Sequence, residues 1–274
     1  MRITGWGASD VGRKRHHNED SLLCNNELAL FAVADGMGGH LGGERASRMA
    51  VEILEREIEK ARGEGQLVAP AELPAGEPHP IRALLRRAVI EADRNIYETA
   101  MQNPALAGMG TTLTVLLFVG NQLHMGHVGD SRAYLYRDGR ARQLTEDHSW
   151  IQEQVRAGLI SAEEAKESRF RNIITRSVGF EPSVEPDLSV MGVQTGDCFV
   201  VCSDGLSNYM SADELGQVLT GHFYRDVANV FIDLANDRGG DDNITCLVVY
   251  AGNEKPGAKT AVRTARKVTR QAAK

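Results

Sequence analysis

Thr111-Thr-Leu-Thr-Val-Leu-Leu-Phe-Val119-Gly120-Asn121-Gln122-Leu-His-Met-Gly-His-Val128 runs straight into Gly129-Asp130-Ser131-Arg132 and then Ala133-Tyr-Leu-Tyr-Arg137-Asp138-Gly139-Arg140-Ala-Arg-Gln-Leu144. Apolar and β-branched runs meet at Gly120-Asn121 and again at Asp138-Gly139, dipeptides that turn one strand back on the next. Successive hairpins build antiparallel sheets, whereas parallel neighbours need a crossover, usually a helix. Working outward, Leu28 to Ala34 reads as a strand stopping at Asp35-Gly36. Asp197 to Cys202 runs into Ser203-Asp204-Gly205, and Ile244 to Tyr250 follows Asp241-Asp242-Asn243. Glu44–Arg62, Ile81–Gln102 and Arg225–Asp237 carry apolar residues at helical spacing. Ser149…Gln152, Ser161…Glu164 and Ser211…Glu214 are capping-box openings of shorter helices. Gly63 to Pro80 holds four prolines and reads as a surface loop. The expected architecture is α+β: two antiparallel sheets, each covered by a pair of helices.

Composition fits that picture. Apolar residues make up 42% and charged residues 25% of 274, the balance of a globular chain able to bury its own core. No apolar run reaches the 18 residues of a membrane span. Met1 to Asp10 lacks a charged-then-apolar leader, so a cytoplasmic location is expected. Cys24, Cys198, Cys202 and Cys246 follow no paired metal spacing and read as reduced thiols. Residues 255–274 hold seven of the 31 basic residues and no acid. The remaining 24 bases face 37 acids, a net of −13, which argues against nucleic-acid binding by the body. Residues 1–254 are expected to form one folded domain and 255–274 a basic tail.

An Asp after a strand is an ordinary turn former, and Asp138-Gly139 is that plain case. Asp35-Gly-Met-Gly-Gly-His40-Leu-Gly-Gly-Glu44 differs, with five glycines in ten residues. So much glycine is entropically expensive and signals close approach or unusual backbone angles. The stretch lacks the Gly-Lys-Ser/Thr ending of a phosphate-binding P-loop. Glu19-Asp20, Asp35, Asp130, Asp204 and Asp241-Asp242 all lie at edges of apolar runs. Gathered on one side of a domain they would repel one another and call for cations. An all-oxygen donor set suits Mg²⁺ or Mn²⁺ rather than zinc.

The ordered segments Arg15-His-His-Asn-Glu19-Asp20, Val33-Ala-Asp35-Gly-Met-Gly-Gly-His40, Gly110-Thr-Thr112, Gly129-Asp130-Ser-Arg132, Leu144-Thr-Glu-Asp147-His148-Ser149, Ile174-Thr-Arg-Ser-Val-Gly179, Ser203-Asp204-Gly205 and Asp241-Asp242-Asn243 resemble the metal-dependent protein phosphatases of type 2C, the PPM family, in a bacterial form. The resemblance implies an α-β-β-α sandwich with a metal site at one edge. It implies two Mn²⁺ or Mg²⁺ ions bridged by Asp35, with the Gly36 carbonyl on one, Asp204 and Asp242 on the other and Glu19 acting through water. Asp130 with Asp204 would hold a third, weaker ion, Asp20 would support the cluster, and Arg15 would clamp the phosphate. Asp35, Asp204, Asp242 and Arg15 are thus the expected catalytic set. A bridging hydroxide would attack phosphorus directly, hydrolysing phosphoserine and phosphothreonine. Phosphorylated proteins, a cognate Ser/Thr kinase and a monomeric state are the implied partners and assembly. The family's animal members place a His directly after the bridging Asp-Gly as a proposed general acid; Met37 stands there instead. His40 does not inherit the role, so protonation of the leaving oxygen falls to metal-bound water.

Plainer readings cover other residues. His16 and His17 read as surface or supporting groups. His124 and His127, three apart on a strand, face opposite sides and read as structural. In the resemblance His148 orders the flap formed by residues 145–180. Thr111 and Thr112 read as strand residues, and Trp6 and Trp150 as packing. A binding module that had lost catalysis would lack one of the acids, and all are present. An enzyme for a small phosphoester is the remaining rival.

Overall fold

Among the described residues of the computed structural model every strand pairing is antiparallel, as the hairpins demand. Residues 1–39, 41–68, 79–168, 170 and 173–253 are described. The expected tail over 255–274, most of the Gly63–Pro80 loop and His40 lie outside them. With elements numbered in chain order, one sheet runs β1 (Arg2–Asp10), β11 (Ile244–Gly252), β10 (Cys198–Cys202), β7 (Arg132–Arg137), β8 (Arg140–Gln143). The other runs β2 (Asp20–Asn25), β3 (Leu30–Met37), β5 (Leu113–Val119), β6 (Gln122–Val128), β9 (Asp187–Gly192), with β4 (Gly110–Thr111) added to β3. Helices α1 (Leu41–Gly63) and α2 (Pro80–Gln102) cover the second sheet, and α6 (Ala212–Gly221) and α7 (Tyr224–Asp237) the first. Short helices α3 (Trp150–Arg156) and α4 (Ala162–Glu167) lie in the segment after β8, and α5 (Asp204–Ser207) follows β10.

The period-two side-chain alternation of strands divides the core into three apolar layers. On β3, Phe31 and Val33 meet Phe199 and Leu247 between the sheets. Leu30, Ala32 and Ala34 face the other way, with Leu54 of α1 and Leu85 of α2. Val200 and Val248 pack under Leu215 of α6 and Phe231 of α7. Strands buried on both faces read as continuous apolar runs, which is why β5, β6 and β10 are visible in the sequence. Asp138 (φ 52°) and Gly139 (φ 78°) make the expected left-handed turn. Both Ser161 and Ser211 close complete capping boxes; Ser149 accepts from the Gln152 N–H without the reciprocal bond.

Several boundaries differ from expectation. Strand β3 does not stop at Asp35: Gly36 and Met37 pair with Thr111 and Gly110 of β4. The single expected strand over Thr111–Val119 is two, interrupted at Thr112, which turns toward Asp35. Trp150 is 39% exposed and edge-on to Phe170 rather than packed inside. His127 is buried between Thr114 and the Glu146 carbonyl, and His124 is buried beside the His79 ring. Cys198, Cys202 and Cys246 are buried free thiols.

Asp93 of α2 fastens the return from α4 to β9. Its carboxyl, 1% exposed, accepts from Gly179 N (2.7 Å) and Val184 N (3.1 Å). Val178 next door exchanges both backbone bonds with Thr111. Asp93→Ala would strand two buried N–H groups at roughly 1–3 kcal/mol each. A loss of about 2–4 kcal/mol in urea denaturation is expected, with Asp93→Asn, which keeps one acceptor, losing less.

Candidate metal centre and active site

Pairing register gathers the acids. On adjacent strands Asp20 stands opposite Asp35. In the other sheet Cys202 stands opposite both Arg132 and Cys246. The residues just outside those pairs, Asp204 after β10, Asp130 before β7 and Asp242 before β11, therefore leave the sheet at one end. Two hydroxyl contacts bring the sheets' ends together: Ser203 Oγ donates to Asp20 Oδ2 (2.8 Å), and Thr112 Oγ1 meets Ser131 Oγ (2.8 Å).

Asp35 is held by its backbone on both sides. Its N–H donates to Thr112 Oγ1 (2.9 Å), while its carbonyl accepts from Thr112 N (2.8 Å) and Thr111 Oγ1 (2.9 Å). These backbone bonds thus fix where the side chain leaves the strand. Burial, then the charges of Asp20, Asp204, Asp130 and Asp242, push that carboxyl well above the usual carboxylate range. Burial is also the main cause at Asp20, pushed up to about 7, and at Asp130, pushed up to about 8. Asp204 is raised by burial and by Asp242, against the Asn208 amide that donates to it (3.1 Å). The Asp20 Oδ1 atom is buried with no hydrogen-bond partner.

Asn243 ties the N-terminal segment to this end. Its Oδ1 accepts from Glu19 N (2.8 Å), and its Nδ2 donates to the Val11 and His17 carbonyls (3.0 and 2.9 Å). Glycine then lets α1 come close. A Cβ on Gly43 would stand 1.8 Å from Glu19 Oε2, and one on Gly36 would stand 2.2 Å from the Gly43 carbonyl oxygen. The glycine-rich stretch is a close-packing device that seats Glu19 and α1 against β3. Arg15 reaches over the mouth, Nη2 to Asp242 Oδ2 at 2.7 Å, beside Lys14 on Asp241 at 2.5 Å. Both basic side chains are exposed.

All the sequence-singled residues Arg15, Glu19, Asp20, Asp35, Gly36, Asp130, Asp204 and Asp242 therefore fall at one edge of the sandwich. Sequence reading missed the polar residues that aim them. Thr111, Thr112, Ser203 and Asn243 do this through hydrogen bonds, and only their adjacency to the acids hinted at it. Among the described residues no three acids stand in ready-made ligating geometry, with Asp242 turned onto Arg15. The donor chemistry nevertheless fits hard divalent ions. Oxygen ligands abound, one buried carboxylate oxygen is unpartnered, and burial raises four of the clustered acids. His148 takes no part as a ligand: Nδ1 accepts from Gly129 N (3.1 Å) and Nε2 meets Asp187 (3.2 Å).

Comparison with known proteins gives the same direction. A profile of the family described as Protein phosphatase 2C matches residues 5–244. The chain is 40% identical over 245 residues to the Serine/threonine phosphatase stp of Listeria monocytogenes, covering 88% of this chain and 93% of that one. The crystal structure of the Mycobacterium tuberculosis serine/threonine phosphatase PstP/Ppp superposes with a TM-score of 0.81 at 36% identity, covering 92% and 100% of the two chains. The PstP catalytic domain in complex with two manganese ions gives 0.78 at 35% identity, covering 92% and 99%.

Proposed function

The chain belongs to the protein phosphatase 2C family, and from that premise we propose how its residues divide the work of a metal-dependent serine/threonine phosphatase. The observation that carries the assignment is the cluster of acids around Asp35, whose carboxyl is raised by burial and then by the charges of Asp20, Asp204, Asp130 and Asp242. Asp35, the Gly36 carbonyl, Asp204 and Asp242 would hold two ions, with Glu19 contributing through water, and Asp130 with Asp204 would hold a third. Two Mn²⁺ or Mg²⁺ ions supply Lewis-acid charge and lower the pKa of bound water. Arg15 exchanges its Asp242 partner for the phosphoryl oxygens, which its planar fork matches in geometry. Asp20, backed by Ser203, keeps the neighbouring strand's charge against Asp35. Met37 offers no proton, so the departing Ser or Thr oxygen takes its proton from water.

Phosphorylated proteins are the substrates, and opposition to a Ser/Thr kinase, in the cytoplasm and as a monomer, completes the reading. No described helix is long and apolar enough to cross a membrane. Phosphothreonine peptide turnover followed by phosphate release is the test. EDTA is expected to reduce it at least about 100-fold and added Mn²⁺ to restore it. Undiminished turnover in EDTA would sink the assignment of the acids.

A further inference from the structure

Away from the acids, three buried ring nitrogens have no hydrogen-bond partner. His124, 0% exposed on β6, leaves both Nδ1 and Nε2 unbonded, and His79, half-buried just before α2, leaves Nδ1 unbonded. His79 holds the N-cap position of α2, yet its side chain does not cap the helix; only its carbonyl accepts, from Ala83 N at 3.0 Å. Burying an imidazole without hydrogen bonds costs free energy, and an orphan of this kind points to a bound water or ion.

The two rings come from different elements and meet. Their centroids stand 4.7 Å apart, with the planes tilted at 58°. Two imidazoles that bind one tetrahedral ion through nitrogens about 2.0–2.1 Å from it bring their centroids to about 5 Å. His124 faces the helices, since Leu117 opposite it on β5 belongs to the apolar layer with α1 and α2. Gln122, two residues back on the same face of β6, has a buried Oε1 that is also unpartnered. That oxygen suits the second ring N–H of His124, as a carbonyl or carboxylate does behind a metal-bound histidine. Arg82, in the first turn of α2, gives its Nη2 to the Leu188 carbonyl at 3.2 Å. Burial, then His79 and Arg82, push His124 down to about 4. Its ring is therefore neutral near pH 7, and neutral imidazole is the ligating form.

Nitrogen donors separate this pair from the carboxylate edge. Imidazole suits Zn²⁺, Cu²⁺ and Ni²⁺, whereas oxygen sets suit Mg²⁺ and Mn²⁺. The pair also lies apart in space, because His124 is four residues before Val128 on β6, about 13 Å along the strand.

We propose that His79 and His124 form a further metal site, selective for Zn²⁺ over Mn²⁺, that clips the start of α2 to β6. Among the described residues no third His, Cys, Asp or Glu joins the pair, so water completes the coordination and the ion exchanges with solvent. Occupancy follows the ambient Zn²⁺ and stiffens the helix that carries Asp93. The site stands independently of the phosphatase reading.

Full-length protein in excess Mn²⁺, which keeps the carboxylates filled, is titrated with Zn²⁺ by calorimetry and melted with and without it. Wild type is expected to bind one more Zn²⁺ than His79→Ala and one more than His124→Leu. Any Zn²⁺ that displaces Mn²⁺ at the carboxylates does so in all three proteins and cancels. With Zn²⁺ about 100-fold above its Kd, wild type should melt at least about 5 °C higher, beyond any shift in the variants. Turnover of p-nitrophenyl phosphate in Mn²⁺ should stay within about two-fold in both variants. His79→Ala, which changes a half-buried side chain, decides alone if His124→Leu does not fold. Equal Zn²⁺ stoichiometry in wild type and His79→Ala, or a site that survives His124→Leu, would overturn the clip.

Discussion

Asp35→Asn is expected to lower phosphopeptide turnover by at least about 1000-fold, some 4 kcal/mol of barrier, while leaving the fold intact. Thr111 and Thr112 hold the Asp35 backbone through its N–H and carbonyl, so an isosteric amide keeps its place in β3. What disappears is a charge ringed by Asp20, Asp204, Asp130 and Asp242. In EDTA that carboxyl is a burden, whether it ionises among like charges or holds a proton that the unfolded chain would release. The variant should therefore melt at or above the wild-type temperature when metal-free, and gain less than wild type when Mn²⁺ is added. Steady-state assays beside melting curves with and without Mn²⁺ measure both. Retention of a tenth or more of wild-type turnover would contradict the bridging role.

Metal-free protein should lose stability as pH rises from 6.5 to 8.5, the reverse of a protein held by salt-bridged carboxylates. Asp20 and Asp130 ionise at about 7 and about 8 in the fold against 3.8 outside it, and Asp35 and Asp204 are raised as well. Folded protein thus keeps protons that the unfolded chain has already released. The stability this confers is complete below about pH 4 and lost as pH climbs through the folded-state values. Buried His124 and His127, pushed down to about 4, have the opposite sign, but their effect ends above about 6.5. The slope is of order 1 kcal/mol per pH unit, or roughly 2–4 °C per unit in a chain of this size. Mn²⁺ binds the ionised carboxylates, so its stabilising shift should grow across the same range. A flat or rising melting temperature in EDTA over this window would refute the account.

How much of this was legible in the sequence depends on where each signal lives. Hairpins announce themselves locally, so β5, β6, β7 and β8 could be placed within a residue or two. Capping boxes at Ser161 and Ser211 are equally local. Strand β1 could not be seen, because Gly5 and Gly7 dilute its apolar pattern. Their bareness answers Phe31 and Leu247, whose side chains would lie 2.3 and 2.6 Å from added Cβ atoms. Edge strand β9, exposed or half-exposed along its length, lacks the apolar run of an interior strand. Asp35 looked like a strand end because β4, only two residues long, is recognisable as a partner only in three dimensions. The acids stood out by position. Asn243 and Ser203 did not, since their partners Val11, His17, Glu19 and Asp20 lie far away in the sequence and leave no local trace.

The bonds that Asn243 makes to Val11, His17 and Glu19 join the first twenty residues to the last strand described, and β11 lies between β1 and β10 rather than at an edge. During synthesis β1 therefore has no neighbour in its own sheet until more than 240 residues have left the ribosome. Pairings so distant in sequence close slowly. A nascent chain carrying Glu19, Asp20, Asp35, Asp130 and Asp204 still lacks Asp242 and the Asn243 staple that seats Glu19. Translation interrupted before these residues yields a chain without Asp242 or the Asn243 staple, so on the proposed reading dephosphorylation cannot begin until both have emerged.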